Sequence, residues 1–252
     1  MTGSPLIEFD TTSHRFQSGV LGLDRVTLKV DAGEFVVIAG RNGSGKTTIL
    51  RHLNGLLVPT SGSVKLLGAE VGADLLRARQ MVGMVFQNAD SQIVGETVAD
   101  DVSFGPENLC LKRDEVERRV DEALEAVGLG HMRDQRPHLL SGGEKRRLAV
   151  AGVLAMEPLI LAFDEPFSSL DYPGVRQVLE NMIRLHARGH TILITTHDLE
   201  KIFPHADRLV VMDHGRVVRD GPPDSVVEDV EGFGVRQPWF SRFGMEAISW
   251  LR

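Results

Sequence analysis

Cysteine is nearly missing from this chain. Cys110 stands alone among 252 residues, so no internal disulfide can form and the sequence fits a reducing compartment. Its simplest role is that of a small, partly buried apolar residue. Long apolar runs are missing too. The longest, Leu148 to Met156, falls far short of the ~20 residues that a membrane-spanning helix needs. The chain is therefore expected not to cross a membrane, and any membrane role must come through a partner. The start, Met1 to Pro5, is short and polar, so no signal peptide is expected. An excess of positive charge is also absent. The net charge of −7 argues against nucleic acid as the main partner. Apolar residues, at 42%, are not scarce, which excludes wholesale disorder and leaves one large domain or one domain with an inserted lobe.

Against that background one stretch stands out: Gly40-Arg41-Asn42-Gly43-Ser44-Gly45-Lys46-Thr47-Thr48. It follows an apolar run, Phe35 to Ala39, that reads as a buried strand, and opens into Ile49 to Asn54, which reads as a helix closed by Gly55. The spacing G-x-x-x-x-G-K-T is that of a phosphate-binding loop. Glycines let several N–H groups point inward at phosphate oxygens, and the helix N-terminus adds partial positive charge. Lys46 brings a full charge to the β- and γ-phosphates, and Thr47 a hydroxyl for Mg²⁺. A nucleoside triphosphate is expected to bind.

Around this loop, Leu6 to Phe9, Val26 to Val30 and Val64 to Leu67 read as strands, and Val82 to Phe86 as a short apolar run leading to Gln87 and a polar loop. Arg113 to Val127 has helical periodicity, with Val116, Val120, Ala123, Leu124 and Val127 on one face. Ser141 and Glu144 fit a capping box at the start of a helix that runs toward Met156. Yet Gly142 and Gly143 are poor first-turn residues, and Lys145, Arg146 and Arg147 lie at the positive end of the helix dipole. Both oddities make sense if an anion docks there. Leu159 to Phe163 reads as an apolar strand ending in Asp164-Glu165. In a phosphate-loop protein Asp164 would hold Mg²⁺ and Glu165 would polarise the attacking water. His197 ends another strand, Thr191 to Thr196, at the same sheet edge, and is a candidate partner of the γ-phosphate. Arg208 to Met212 and Arg216 to Arg219 read as a hairpin. Phe16 is open to two readings, core packing or stacking on an adenine ring. The last 21 residues hold five of the chain's 14 aromatics, too many for a disordered tail, so they should pack on the domain or on a partner.

Taken together these stretches resemble an ATP-binding-cassette ATPase from Leu6 to about Val227. Gly40–Thr47 is similar to the Walker A loop, Gln87 to the Q-loop and Leu140–Glu144 to the LSGGQ signature. Leu159–Asp164 with Glu165 resembles Walker B and its catalytic glutamate, Ser168–Asp171 the D-loop, and His197 the switch histidine. The resemblance implies an α/β fold: a P-loop core with an antiparallel β subdomain and an inserted α-helical subdomain, roughly 92–157, within an ATPase domain of 1–231. Residues 232–252 would form an aromatic-rich extension. It also implies a role for each site residue. Glu165, His197, Gln87 and Lys46 would be catalytic. Phe16, Asn42, Gly43, Ser44, Gly45, Lys46, Thr47, Thr48, Ser141, Gly142 and Gly143 would bind ATP, with Phe16 as the adenine-stacking aromatic. Thr47, Gln87 and Asp164 would attend Mg²⁺.

A narrower resemblance lies in Val85–Gln92, Thr97–Val102, Phe104–Leu109 and Ala149–Met156, which look like the ATPases of energy-coupling-factor importers. That implies ATP and Mg²⁺ as cofactors and a head-to-tail dimer, homodimer or paired paralogue. It also implies a transmembrane coupling protein and a substrate-binding membrane protein as partners, and no nucleic acid. The chain would sit peripherally at the cytoplasmic face of the cell membrane, and the cargo would be a vitamin such as biotin, or cobalt or nickel. Gln87 to Glu96 would border the groove for the membrane partner, with Asp90 and Glu96 free to meet basic side chains. Glu144, Phe167 and Ser169 depart from the common pattern. The rival expectation is a soluble ATPase of the same superfamily acting in cofactor assembly or another non-transport role.

Overall fold

The computed structural model describes residues 4–251, so Met1–Gly3 of the polar start and Arg252 of the extension lie outside it. Strand β1 covers Ile7–Arg15 and β2 covers Leu21–Val30, each longer than the sequence pattern suggests. Their pairing shifts register three times between Phe9 and Arg15, and such irregularities erase the in–out alternation by which a half-buried strand is read. After β3 (Phe35–Gly40) comes α1 (Lys46–Leu53). Then follow β4 (Ser61–Leu66), the short β5 (Ala69–Glu70), α2 (Leu75–Met81) and β6 (Val82–Val85). Helices α3 (Val98–Asn108), α4 (Arg113–Ala126) and α5 (Gly142–Leu154) come next without an intervening strand. The chain then alternates through β7 (Ile160–Asp164), α6 (Tyr172–Ala187), β8 (Thr191–Thr196), β9 (Arg208–Asp213) and β10 (Arg216–Gly221).

Two sheets result. One is antiparallel, in the order β2-β1-β4-β5; the other runs β10-β9-β3-β8-β7-β6, parallel except for the β10 edge. Parallel strands are buried on both faces, which is why β3 and β7 appear in the sequence as apolar runs. The pleat then sorts their side chains. Val36 and Ile38 of β3 pack with Ile49, Leu50 and Leu53 of α1 and with the antiparallel sheet. Phe35, Val37 and Ala39 face the other way, into a core shared with α3–α6. Helix α1 thus lies between the sheets, and the C-terminal ends of β3, β7 and β8 converge where it begins. That edge is where an open parallel sheet binds ligands.

The aromatic C-terminal stretch packs on this body. After α7 (Pro223–Val226) and a 3₁₀ stretch, Val235 and Phe240 are buried in the helix-side core, Phe240 at the start of α8 (Trp239–Arg242). Its ring meets Phe203, with centroids 5.3 Å apart.

Candidate active site

The loop between β3 and α1 has the backbone that its glycines anticipate. Gly43 and Gly45 have φ of 80° and 104°, left-handed values that cost a side chain dearly. Gly45 also leaves no room for a β-carbon, which would lie 2.6 Å from the Gly22 carbonyl. Lys46 folds back into the loop it follows. The residue is 6% exposed, and its ammonium donates to the carbonyls of Gly40 (2.8 Å) and Arg41 (3.1 Å), with the Glu165 carboxylate 3.7 Å away. Burial pushes the Lys46 ammonium below its ordinary value, opposed by the charges of Glu165 and Asp164. Ser44 keeps a buried hydroxyl with no partner. An unpaired buried polar group costs about 1–3 kcal/mol, a cost that a phosphate oxygen would remove.

The acids sit at the end of β7. Asp164 accepts from the hydroxyls of Thr195 (2.6 Å) and Thr47 (2.9 Å). Glu165 is buried in a left-handed conformation, φ 46°, and its N–H is held by the Thr195 carbonyl at 3.1 Å. Its carboxylate lies 3.0 Å from Nδ1 of His197. Thr47 and Asp164 offer hard oxygen donors, the set that Mg²⁺ prefers, and the ion takes only one or two protein ligands beside phosphate and water. No cluster of three or more acid, His or Cys ligands occurs among the described residues. The donor set therefore suits an ion that arrives with a triphosphate rather than one held in a protein cage.

A cavity of about 420 Å³ unites these groups: Phe16, Asn42, Gly43, Gly45, Lys46, Thr47, Thr48, Gln87, Glu165 and His197 line it. A second, of about 690 Å³, joins Gln87 to Thr47 and Asp164. Phe16 is half-buried, not core. Its ring is braced by an edge contact from His14 at 4.7 Å and by Gly22, where a β-carbon would come 2.6 Å from the ring.

Ser141, Gly142 and Gly143 do not line either cavity. Ser141 forms the expected capping box with Glu144 at the exposed start of α5, and its hydroxyl also donates to the Glu144 carboxylate at 2.8 Å. The basic residues that follow are each engaged within the chain. Arg146 is 4% exposed and donates to the carbonyls of Phe86 (2.6 Å) and Gln87 (2.7 Å). Arg147 donates to the Val127 carbonyl (2.9 Å), and Lys145 pairs with Asp90 at 2.6 Å. Asp90 is thus paired within the chain while most of its side chain stays exposed.

Three contributors went unrecognised in the sequence. Thr195 looks like any strand residue, yet it holds both Asp164 and Glu165. Asp101 closes the loop after Gln87 by accepting from the N–H groups of Val94 (2.7 Å) and Gly95 (2.9 Å). A β-carbon at Gly95 would lie 2.2 Å from the Asp101 nitrogen, so only glycine fits that turn. Arg146 was legible as a charge but not as a tie between α5 and the Gln87 loop.

A family model described as ABC transporter matches residues 23–168. Over 227 residues the chain is 44% identical to the energy-coupling factor transporter ATP-binding protein EcfA of Methanosarcina acetivorans, covering 89% of this chain and 82% of that protein. Among solved structures, cbiO1 of Clostridium perfringens, part of the ABC transporter complex cbiONQ, is 33% identical, with a TM-score of 0.83 over 96% of this chain and 99% of that one. A dimeric ATP-binding cassette in a post-hydrolysis state, bound to ADP and Pi, is 26% identical, with a TM-score of 0.76 over 86% of this chain and 98% of that one.

Proposed function

Since this chain belongs to the ABC transporter family as an ATPase of the energy-coupling-factor type, we propose that it hydrolyses ATP to drive uptake of a vitamin or of cobalt or nickel through membrane partners. The phosphate loop and Lys46 bind the triphosphate, and Phe16 stacks on the base. Thr47 and Asp164, with Gln87, hold Mg²⁺, which when bound neutralises phosphate charge. Glu165 accepts the proton of the attacking water, and His197, on its carboxylate, fixes the orientation of that base. Lys46 rests on two loop carbonyls inside the phosphate loop; on ATP binding its ammonium exchanges them for phosphate oxygens and offsets the growing charge on the γ-phosphate.

One observation carries the reading. Lys46, Thr47, Glu165 and His197 line one cavity, while the signature residues Ser141, Gly142 and Gly143 lie apart from it on an exposed helix start. Such a half-site is completed by the signature of a second ATPase subunit set head to tail, a second copy of this chain or a paralogue. No helix among the described residues is long and apolar enough to cross a membrane; on this reading separate membrane proteins supply the path and this subunit sits peripherally at the cytoplasmic face. Affinity purification from detergent-solubilised membranes should recover the chain with a multi-span coupling protein in fixed ratio. Recovery only in the soluble fraction, with a cofactor-assembly scaffold, would replace transport with the non-transport reading.

A further inference from the structure

The segment 232–251 takes no part in the proposed chemistry, yet it touches the loops that chemistry depends on. Gly234 is left-handed, φ 71°, and a β-carbon there would lie 2.5 Å from Cδ of Arg41. Arg41 belongs to the phosphate loop, and its carbonyl accepts from the Lys46 ammonium. Two residues on, Arg236 pairs as an isolated parallel bridge with Asp198, the neighbour of His197. The stretch beyond His197 is then held along its length. The Trp239 N–H donates to Glu200 (3.1 Å), and Ser249 and His205 share a hydrogen bond of 3.0 Å. The Trp250 ring lies 5.4 Å from the ammonium of Lys201, which pairs with Asp198. The same ring meets Tyr172, the first residue of α6, just after the Ser168–Asp171 turn.

We propose that residues 232–251 are a brace that positions His197 relative to the phosphate loop, which makes Trp250 and Gly234 positioning residues for ATP turnover. The proposal rests on the reading of Lys46 and His197 given above. Val235 and Phe240 anchor the segment in the core, whereas Gly234, Arg236 and Trp250 reach the site's loops. After β8 the chain makes few regular backbone bonds of its own before Ile202 and leans on local bonds from Thr196 and Asp198, so the contacts from the tail add to the Glu165 carboxylate in setting where the imidazole stands. Small displacements of a reacting group from its productive geometry are costly to rate.

The test compares Trp250→Ala, Trp250→Phe and His197→Ala with the wild-type full chain, by ATPase kinetics and by hydrogen exchange. Trp250→Ala should lower kcat about tenfold, with KM for ATP little changed, because ATP is held by the phosphate loop. It should also speed amide exchange in 197–205 selectively, and Trp250→Phe should restore both. Wild-type turnover or unchanged exchange in 197–205 for Trp250→Ala would overturn the brace. So would faster exchange spread evenly over the sheet, which marks general loosening. Undiminished turnover in His197→Ala would remove the active-site reading instead, and the exchange of 197–205 would still decide the brace.

Discussion

At Glu165 the backbone is itself unusual: a carboxylate side chain in a left-handed conformation, held by Thr195, with His197 on its oxygens. A residue held in a rarely used conformation costs about 1–3 kcal/mol and persists only where the surroundings impose it. Glu165→Gln keeps the shape and removes the proton acceptor. It should lower turnover by about 10²–10⁴-fold while equilibrium ATP binding persists. Near-normal hydrolysis by that variant would remove the general-base role. His52 makes a different prediction. It is fully buried, its Nδ1 bonded to the Thr48 carbonyl, its Nε2 unpaired and its ring against His14. Burial holds its imidazole below the usual 6.5, a direction the nearby His14 reinforces and the Thr48 carbonyl opposes. The folded pKa is lowered, so the unfolded chain binds more protons as pH falls below 6.5, and stability is lost in that direction. Thermal midpoints measured from pH 7.5 down to pH 5 should fall less steeply in His52→Gln than in wild type; equal slopes would absolve His52.

Among the elements, α5 depends on a buried guanidinium. Arg146 ties the helix to the carbonyls of Phe86 and Gln87, and burial depresses its pKa against the pull of Asp164. Arg146→Met strands two carbonyls but also relieves the desolvation of a buried charge. The net loss in chemical denaturation should be about 1–3 kcal/mol. ATP turnover should fall with it, since the Gln87 loop loses its tether; full stability with full turnover would show the tie to be idle. Elements like β3 and β7 were legible because burial on both faces leaves a short apolar run bounded by polar and turn residues. Several helices were not, two of them instructively. In α3 the capping box of Thr97 and Asp100 is in plain sight, but Gly105 and Pro106 argue against a helix that tertiary packing nevertheless imposes. In α6 the apolar spacing Val175, Val178, Leu179, Met182 and Leu185 is regular, with Asp171 as N-cap, yet Gly174 in the first turn weakens the local helix signal. Side chains that act through long-range contacts, such as Thr195 on Asp164, carry no local signal at all.

For the whole molecule the decisive question is which chain's signature meets which chain's phosphate loop. Mixing Ser141→Arg chains with Lys46→Ala chains separates the options. In a head-to-tail pair both lesions fall in one composite site, and the other keeps an intact Lys46 and an intact Ser141. Purified mixed dimers should then retain ATP at one site; two equally damaged sites would rule out the arrangement. The exposed, self-capped start of α5 has a further consequence. Its Ser141 hydroxyl is satisfied by Glu144 within the chain, so this group supplies no drive for the lone subunit to pair. Pairing is then left to mass action, with ATP acting as the shared ligand that favours the associated form. For a homodimer, specific activity should therefore rise with subunit concentration at high dilution and level off once pairing is complete.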